Sequence, residues 1–231
     1  MKNHNRRDFI KQVSATGAVL ATGAFVSCAE KASASCSGAG TEENIQSKLI
    51  IPKAQGLKIS GTFLDEISHD IPHQNWGEAE WDRDFGYMRE AGIDTVILIR
   101  CGYRRWQTFP SRVLTAEEGC YEPPVDLVDM FLRLSDKWGM NFWFGLYDSG
   151  KYWDRGEYEQ EVALNKRVID EVWSRYGHYK SFAGWYISQE CSRNTGKIVD
   201  LYASLGRYCK EVSGGLPTMI SPYIDGSKNV S

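Results

Sequence analysis

Residues 78–101, with the sequence EAEWDRDFGYMREAGIDTVILIRC, decide the fold class of this 231-residue chain. Three apolar side chains recur at helical spacing in the first half, namely Trp81, Phe85 and Met88. Gly92 ends that pattern, and a run of apolar and β-branched residues from Asp94 to Cys101 follows it. The segment therefore predicts one helix and one buried strand, joined by a short turn.

Helical and strand patterns of this kind alternate along the rest of the chain. The strands are predicted at Leu57–Leu64, Asp94–Cys101, Asn141–Tyr147, Phe182–Ser188 and Pro217–Tyr223. The helices are predicted at Glu78–Ala91, Val125–Trp138, Glu157–Tyr176 and Thr195–Val212. Because parallel strands need crossover connections and bury both faces, this alternation predicts an α/β fold with a parallel sheet.

Two α/β architectures fit such a pattern. A doubly wound nucleotide-binding sheet needs a glycine-rich turn after its first strand, and the sequence Gly61–Asp65, GTFLD, supplies none. A (β/α)8 TIM-type barrel fits better, although eight units at this spacing would need roughly 320 residues rather than the typical ~250. We therefore predict a partial barrel over residues 57–231, the N-terminal five βα units only. A complete smaller sheet is the alternative, and its open edges would favour self-association.

The N-terminal residues 1–28 are predicted to be an export signal. Residues Arg6–Lys11, RRDFIK, resemble the twin-arginine motif, and the uncharged stretch that follows is too short to span a bilayer. Residues Phe25–Cys28, FVSC, resemble a lipoprotein processing site with Cys28 as the acylated residue; an ordinary cleaved signal peptide is the alternative. Residues 29–56 are predicted to be a flexible tether. We expect an exported protein, periplasmic or anchored to the membrane only through a lipid on Cys28.

Charge and cysteine content exclude several classes of function. The formal net charge is −3, and residues 1–28 contribute +3, which leaves −6 for the remainder. Without a stripe of Lys and Arg, that remainder is not suited to binding nucleic acid. The six cysteines contain no CxxC pair, so neither a disulfide framework nor a zinc site is predicted. His69 and His73 flank Pro72, which disfavours a helical metal-binding pair. We predict no cofactor and no metal.

Polar and aromatic side chains follow each predicted strand. Ligands of barrel folds bind at the carboxyl ends of the strands, so these side chains are the candidate substrate-binding residues. They are Asp65, Trp76, Arg100, Tyr103, Arg104, Trp106, Tyr147, Asp148, Trp153, Gln189, Tyr223 and Asp225. Aromatic rings offer flat apolar surfaces to the C–H faces of sugars, and polar groups fix hydroxyls. The set therefore predicts a carbohydrate groove.

Glu190 is the candidate catalytic residue. In residues 184–190, GWYISQE, the alternation of strand side chains places Glu190 on the same face as Tyr186 and opposite Trp185. We expect its carboxyl group to point into the barrel mouth and to lose hydration among aromatic rings. Its pKa would then rise, and the group could serve as a general acid. The possible carboxyl partners within the chain are Asp65, Glu66, Asp148 and Asp225.

A fourth strand that ends in Trp-x-x-x-Gln-Glu, here Trp185–Glu190, resembles the clan A glycoside hydrolases. In that clan an acid/base Glu ends the fourth barrel strand and a nucleophilic Glu ends the seventh. The resemblance implies that Glu190 is the acid/base and that the nucleophile lies beyond residue 231. The clan usually has Asn where Gln189 stands. Residues Ile59–Leu64, Trp81–Tyr87 and Gly92–Leu98 are also similar to an uncharacterised family of exported glycosidase-like barrels.

Three functions are compatible with these patterns. The first is a glycoside hydrolase that cleaves a poly- or oligosaccharide by general acid/base catalysis. The second is a non-catalytic carbohydrate-binding lipoprotein with the same groove. The third is a metal-dependent sugar isomerase or epimerase, in which Glu190, an Asp and a His would bind a divalent ion. The aromatic residues that follow the strands favour the first two.

Overall fold

The computed structural model describes residues 58–67, 76–190 and 197–222. Its strands are β1 (Gly61–Leu64), β2 (Thr95–Leu98), β3 (Gly102–Tyr103), β4 (Trp106–Gln107), β5 (Asn141–Gly145), β6 (Tyr147–Asp148), β7 (Phe182–Tyr186) and β8 (Thr218–Met219). Its α-helices are α1 (Glu78–Glu90), α2 (Arg112–Glu118), α3 (Leu127–Trp138), α4 (Tyr158–Tyr176) and α5 (Ile198–Val212). A short 3-10 helix spans Trp153–Arg155. None of the helices in these residues is long and apolar enough to cross a membrane.

The main sheet has the order β1-β2-β5-β7-β8, and every neighbouring pair in it is parallel. The five predicted strands and four predicted helices are therefore confirmed, with strands that are shorter at their ends than the apolar runs. The helices connect successive strands of the sheet. The chain forms an α/β fold, a partial (β/α) barrel, as the alternation predicts.

The sheet is strongly curved. The rings of Phe63 in β1 and Tyr186 in β7 have centroids 5.2 Å apart, although β2 and β5 lie between these two strands. On a flat sheet three strand spacings would separate the two strands by about 14 Å. The two rings meet because the face that carries them is concave, as in the wall of a barrel.

The opposite face of the sheet is covered by the helices. Alternate side chains of the strands point to that face and are buried there, among them Leu64, Val96, Leu98, Phe142, Phe144 and Trp185. The Trp185 indole N–H donates to Ser213 Oγ at 3.1 Å, so its one polar group is satisfied within the core. The apolar strand residues thus form the core together with the helices, and the candidate site lies on the concave face of the sheet.

The sequence analysis did not predict the helix α2, the 3-10 helix or the small sheet with the order β4-β3-β6. At the start of α2, Ser111 Oγ accepts from the Leu114 amide at 3.1 Å. The Glu171 carboxylate of α4 accepts from the Ser111 hydroxyl and from the Arg112 amide at 2.8 Å. A carboxylate at a helix N-terminus is stabilising because it satisfies unpaired amides. A partner 60 residues away along the chain therefore supports this short helix.

We expect Gly145→Ala to destabilise the fold by at least about 3 kcal/mol, because its side chain has no space. A methyl group on Gly145 would overlap the Leu98 carbonyl oxygen and lie 2.7 Å from the Arg100 amide nitrogen, both backbone atoms of the neighbouring chain segment. Urea unfolding gives the comparison. The matched control is Gly206→Ala in α5, where the nearest atom is 3.6 Å away and helix propensity favours alanine by about 1 kcal/mol. Equal unfolding midpoints for the two variants would contradict the expectation.

Candidate active site

The predicted site residues fall into separate groups at the carboxyl ends of the strands. One group surrounds Asp148, a second contains Glu190, and a third lines a pocket beside Trp106. Two predicted ligand-binding residues, Tyr223 and Asp225, lie outside the described residues. Cys28, His69 and His73 also lie outside them.

Asp148, at the end of β6, holds the first group together. Its Oδ2 atom lies 3.5 Å from Nη1 of Arg100, and its Oδ1 atom accepts from the Gly150 amide at 2.8 Å and the Trp153 indole at 2.9 Å. The Asp148 side chain is buried. Its carboxylate is therefore occupied in orienting Arg100 and Trp153, which makes it a positioning residue for the groups around it.

The guanidinium groups of Arg100 and Arg104 both lie against the Tyr103 ring. The guanidinium carbons of Arg100 and Arg104 are each 5.0 Å from the Tyr103 ring centroid. Arg104 has a positive φ of 53°, in the tight connection between β3 and β4. Arginine remains charged at any ordinary pH and presents several donors in one plane. The structure thus brings together three predicted residues into a surface suited to binding hydroxyls or carboxylates.

Glu190 follows β7 on the concave side of the sheet. The Tyr186 hydroxyl donates to Glu190 Oε1 at 3.4 Å, which confirms that the two side chains share a face. The expectation that the Glu190 carboxyl group is buried among aromatic rings is wrong, because this side chain is exposed and Trp185, the largest ring of the strand, packs in the core with the helices. Burial, with a contribution from Glu190, raises the pKa of Tyr186 to about 12, so its hydroxyl remains a hydrogen-bond donor.

Tyr147 and Gln189 do not face the groove, contrary to the predicted ligand-binding role. Both side chains are buried, at 0% and 1% exposure. The Tyr147 hydroxyl donates to the Arg104 carbonyl at 2.5 Å. The Gln189 amide donates to the Tyr147 carbonyl at 2.9 Å and to Glu161 Oε1 at 2.8 Å. Their polar atoms support the backbone of the site from behind, so neither side chain is available to a ligand.

Glu161 in α4 is a residue of the site that the sequence analysis missed. It is completely buried, and besides Gln189 it accepts from the Ser149 amide at 3.2 Å. Burial raises the pKa of Glu161 to about 7, against the opposing effect of these hydrogen bonds. An acidic residue that shares a helix stripe with Leu164 and Val168 was the available signal. This carboxyl group joins α4 to the chain segments that follow β5 and β7.

The third group lines a cavity of about 350 Å³, bounded by Glu66, Trp76, Trp106 and Tyr121 among others. The rings of Trp106 and Tyr121 have centroids 5.1 Å apart, and both are about half exposed. Glu66 is buried, and burial together with the nearby Asp65 and Asp84 raises its pKa to about 8. Asp65 itself accepts from the Ile67 amide at 3.3 Å. The predicted residues Trp76 and Trp106 therefore lie at one pocket, together with Tyr121, which was not predicted.

Within residues 58–67, 76–190 and 197–222, no group of three or more His, Cys, Asp and Glu side chains is arranged to hold a metal ion.

The fold and this edge of the sheet define a barrel-type protein with arginine and aromatic side chains at the carboxyl ends of its strands. Residues 59–231 match the family described as Domain of unknown function (DUF4434), and the chain belongs to that family. Among curated proteins, none is similar to the chain in sequence.

Several solved structures are similar to the chain. The crystal structure of a putative alpha-L-fucosidase from Bacteroides thetaiotaomicron is 59% identical, with a TM-score of 0.70 over 85% of this chain and 59% of that one. This chain thus spans less than two thirds of that protein's length. A GH2 beta-galacturonidase from Eisenbergiella tayi is 15% identical, with a TM-score of 0.47 over 71% and 25% of the two chains. A glycoside hydrolase family 5 protein from Bacteroides vulgatus is 12% identical, with a TM-score of 0.46 over 64% and 32%.

We expect Glu161→Gln to remove a loss of stability that occurs in the unchanged protein as pH rises. The unfolded carboxyl group ionises near pH 4.5, whereas the folded one keeps its proton until about pH 7. Stability therefore falls between these values, by about 3 kcal/mol, and the variant avoids this fall because an amide does not titrate. Urea unfolding at pH 5 and pH 8 measures the difference, with the exposed Glu159→Gln of the same helix as control. If the stability of the two variants changed with pH in the same way, the expected effect of Glu161 would be refuted.

We expect Tyr147→Phe to lower the unfolding free energy by about 1 kcal/mol and to leave unchanged any affinity that the protein has for an oligosaccharide. The phenol ring would remain in place while the Arg104 carbonyl loses the donor on the Tyr147 hydroxyl. Urea unfolding measures the change in stability, and calorimetric titration with an oligosaccharide measures the affinity. A large loss of affinity with unchanged stability would restore the predicted role of Tyr147 in ligand binding.

Proposed function

We propose that the protein is a glycoside hydrolase that acts on a poly- or oligosaccharide, with Glu190 as the general acid. The observation that carries this proposal is the position of Glu190, after the fourth strand of the main sheet and on its concave face. The 59% identical structure of a putative alpha-L-fucosidase supports the class of reaction. Glycoside hydrolysis needs an acid beside the glycosidic oxygen, and strand ends are where barrel folds place such groups.

The proposed acid step uses Glu190 and its neighbour Tyr186. A sugar bound over the exposed carboxyl group places its glycosidic oxygen within reach of Glu190, which donates its proton to that oxygen. As the glycosidic bond breaks, the proton moves to the leaving oxygen and leaves a carboxylate on Glu190, while water or a second carboxylate forms the new bond to the anomeric carbon. The Tyr186 hydroxyl then donates to this carboxylate and holds it in place.

Substrate hydroxyl groups are proposed to bind at Arg100, Tyr103 and Arg104, which we call the arginine cluster. Arg100 and Arg104 present charged donors beside the Tyr103 ring, and Asp148 fixes the direction of Arg100. Donors held in one geometry before the ligand arrives contribute more to binding than mobile ones. The Tyr103 ring and the neighbouring aromatic residues give the C–H faces of sugars an apolar contact.

A second carboxylate is needed for either stereochemical outcome. Asp148 is bound on both oxygens by Arg100, Gly150 and Trp153, so we assign it to positioning. We propose that the second carboxylate comes from a strand beyond residue 231. The relative with 59% identity is considerably longer than this chain, which is consistent with that source.

A non-catalytic carbohydrate-binding protein is the second candidate. The exposure of the Glu190 carboxyl group favours it, because a general acid usually has a partly desolvated environment. In that case Arg100, Arg104 and the pocket beside Trp106 would bind the glycan without cleaving it.

We also propose that the protein is exported, on the sequence of residues 1–28. The Arg6–Lys11 motif and the short uncharged stretch after it support a twin-arginine signal. A lipid on Cys28 would then hold the protein at the membrane surface. The intact mass of the protein from its native source tests both the processing at Cys28 and the length of the mature chain.

We expect Glu190→Gln to lower kcat by about 10²- to 10⁴-fold in the protein isolated from its native source. The loss should be larger for 2′-fucosyllactose than for p-nitrophenyl α-L-fucoside, because the aryl leaving group needs less protonation. Glu211→Gln, an exposed change in α5, is the matched control and should keep full activity.

Two results would contradict the hydrolase proposal. Equal activity of the Glu190→Gln variant and the unchanged protein would remove Glu190 from the mechanism. Glycan binding without hydrolysis at any pH, with affinity unaffected by Glu190→Gln, would favour the non-catalytic alternative.

A further inference from the structure

The pocket beside Trp106 is separate from the residues used in the proposed hydrolysis. We call it the aromatic pocket; its main lining residues are Glu66, Trp76, Trp106, Gln107, Tyr121 and Pro123. None of these belongs to the arginine cluster or to the Tyr186–Glu190 pair. Its volume of about 350 Å³ lies within the range of small-molecule sites.

The walls of the pocket expose flat apolar surfaces to solvent. Trp106 is 57% exposed and Tyr121 is 47% exposed, although exposed rings of this size are costly in water. The Arg105 guanidinium group lies 4.4 Å from the Tyr121 ring centroid and is held by a hydrogen bond from its Nε to the Gly119 carbonyl. The ring is therefore fixed before any ligand binds. Such preorganised rings are suited to the C–H face of a sugar.

Polar groups of the pocket favour an uncharged ligand. The buried carboxyl group of Glu66 forms part of the wall, and its raised pKa of about 8 leaves it mostly protonated at neutral pH. Asp65 and Asp84 are near enough to contribute to that shift, and the acidic Glu122 also lines the pocket. The carboxylates of Asp65, Asp84 and Glu122 would repel an anionic sugar, and they outnumber the Arg105 guanidinium group that lies against the Tyr121 ring. A protonated carboxyl group can donate a hydrogen bond to a neutral sugar hydroxyl and accept one from it.

The small sheet connects the aromatic pocket to the proposed centre. In its register Trp106 pairs with Tyr103, and Tyr103 pairs with Asp148. Paired residues of neighbouring strands project from the same side of a sheet, at about 5 Å per strand. Trp106 is therefore about 10 Å from Asp148 across two strand spacings. An oligosaccharide bound at the arginine cluster can extend along this surface to the pocket.

We propose that the aromatic pocket is an accessory subsite that binds one uncharged sugar residue of the glycan substrate, stacked on Trp106 and Tyr121. This inference rests on the proposed function in one respect, namely that the ligand is a glycan. The pocket determines which glycans bind, and the arginine cluster and Glu190 determine what happens to them.

Calorimetric titration of the full chain tests the subsite with three probes: 2′-fucosyllactose and cellotetraose, which are neutral, and tetragalacturonate, which is acidic. We expect a neutral probe to bind and tetragalacturonate to bind more weakly. Trp106→Ala and Tyr121→Ala should each lower the affinity for the neutral probe by about tenfold or more. Tyr87→Ala removes an equally exposed ring from α1, outside the pocket, and should leave the affinity unchanged.

Three results would overturn the subsite. They are unchanged affinity in both ring variants, tighter binding of the acidic probe, and the absence of binding by either neutral probe at millimolar concentration. Because Trp106 and Tyr121 are exposed, both variants should fold, and circular dichroism checks this.

The subsite and the hydrolase proposal fail in different ways. If no glycan is hydrolysed but the ring variants weaken binding, the subsite stands and the hydrolase proposal fails. If Glu190→Gln abolishes hydrolysis while Trp106→Ala leaves both affinity and KM unchanged, the hydrolase proposal stands and the subsite fails.

Discussion

The buried carboxyl group of Glu161 connects helix α4 to the chain segments that follow β5 and β7. It accepts from the Ser149 amide on one side and from the Gln189 side chain on the other. The first segment carries Asp148 and, through it, the orientation of Arg100. The second carries Glu190, which directly follows Gln189. Both halves of the proposed centre therefore depend on one hydrogen-bonded group that no ligand touches, and a shift of Glu161 would move them relative to each other.

Burying this carboxyl group has a cost that its hydrogen bonds only partly offset. Desolvation of the charge outweighs the two donors, so the folded protein favours the protonated form more than water does. An apolar residue would avoid the cost but would leave the Ser149 amide and the Gln189 amide without an acceptor. The polar connection gives a fixed distance and direction between two strand ends, which dispersion contacts alone do not specify. In this site a precise geometry accompanies reduced stability at neutral pH.

The sequence predicts the sheet well because its signal is local. Buried parallel strands are continuous apolar runs, and Gly92 and Gly139 mark helix ends, so β2 and β5 follow from residues close together in the chain. Alternation also places Glu190 on the same face as Tyr186. The exposure of Glu190 depends instead on which strands surround it. Helix α2 needs Glu171, and the aromatic pocket needs the loop that carries Tyr121 to fold back onto Trp106. Local sequence patterns do not predict such contacts, because the residues that form them are far apart in the chain.

The two ligand-facing groups at the strand ends have opposite electrostatic character. The guanidinium groups of Arg100 and Arg104 lie against Tyr103, whereas the carboxylates of Asp65, Asp84 and Glu122 near the aromatic pocket outnumber the guanidinium group of Arg105. Only one strand spacing of the small sheet separates Tyr103 from Trp106. An anionic ligand would be drawn to the arginine cluster and excluded from the pocket, whereas a neutral sugar chain can occupy both. In the proposed complex, the pocket would discriminate between sugars by their charge. The arginines would then bind hydroxyl groups of the sugar at the proposed centre, because the two contacts lie at different places along one surface.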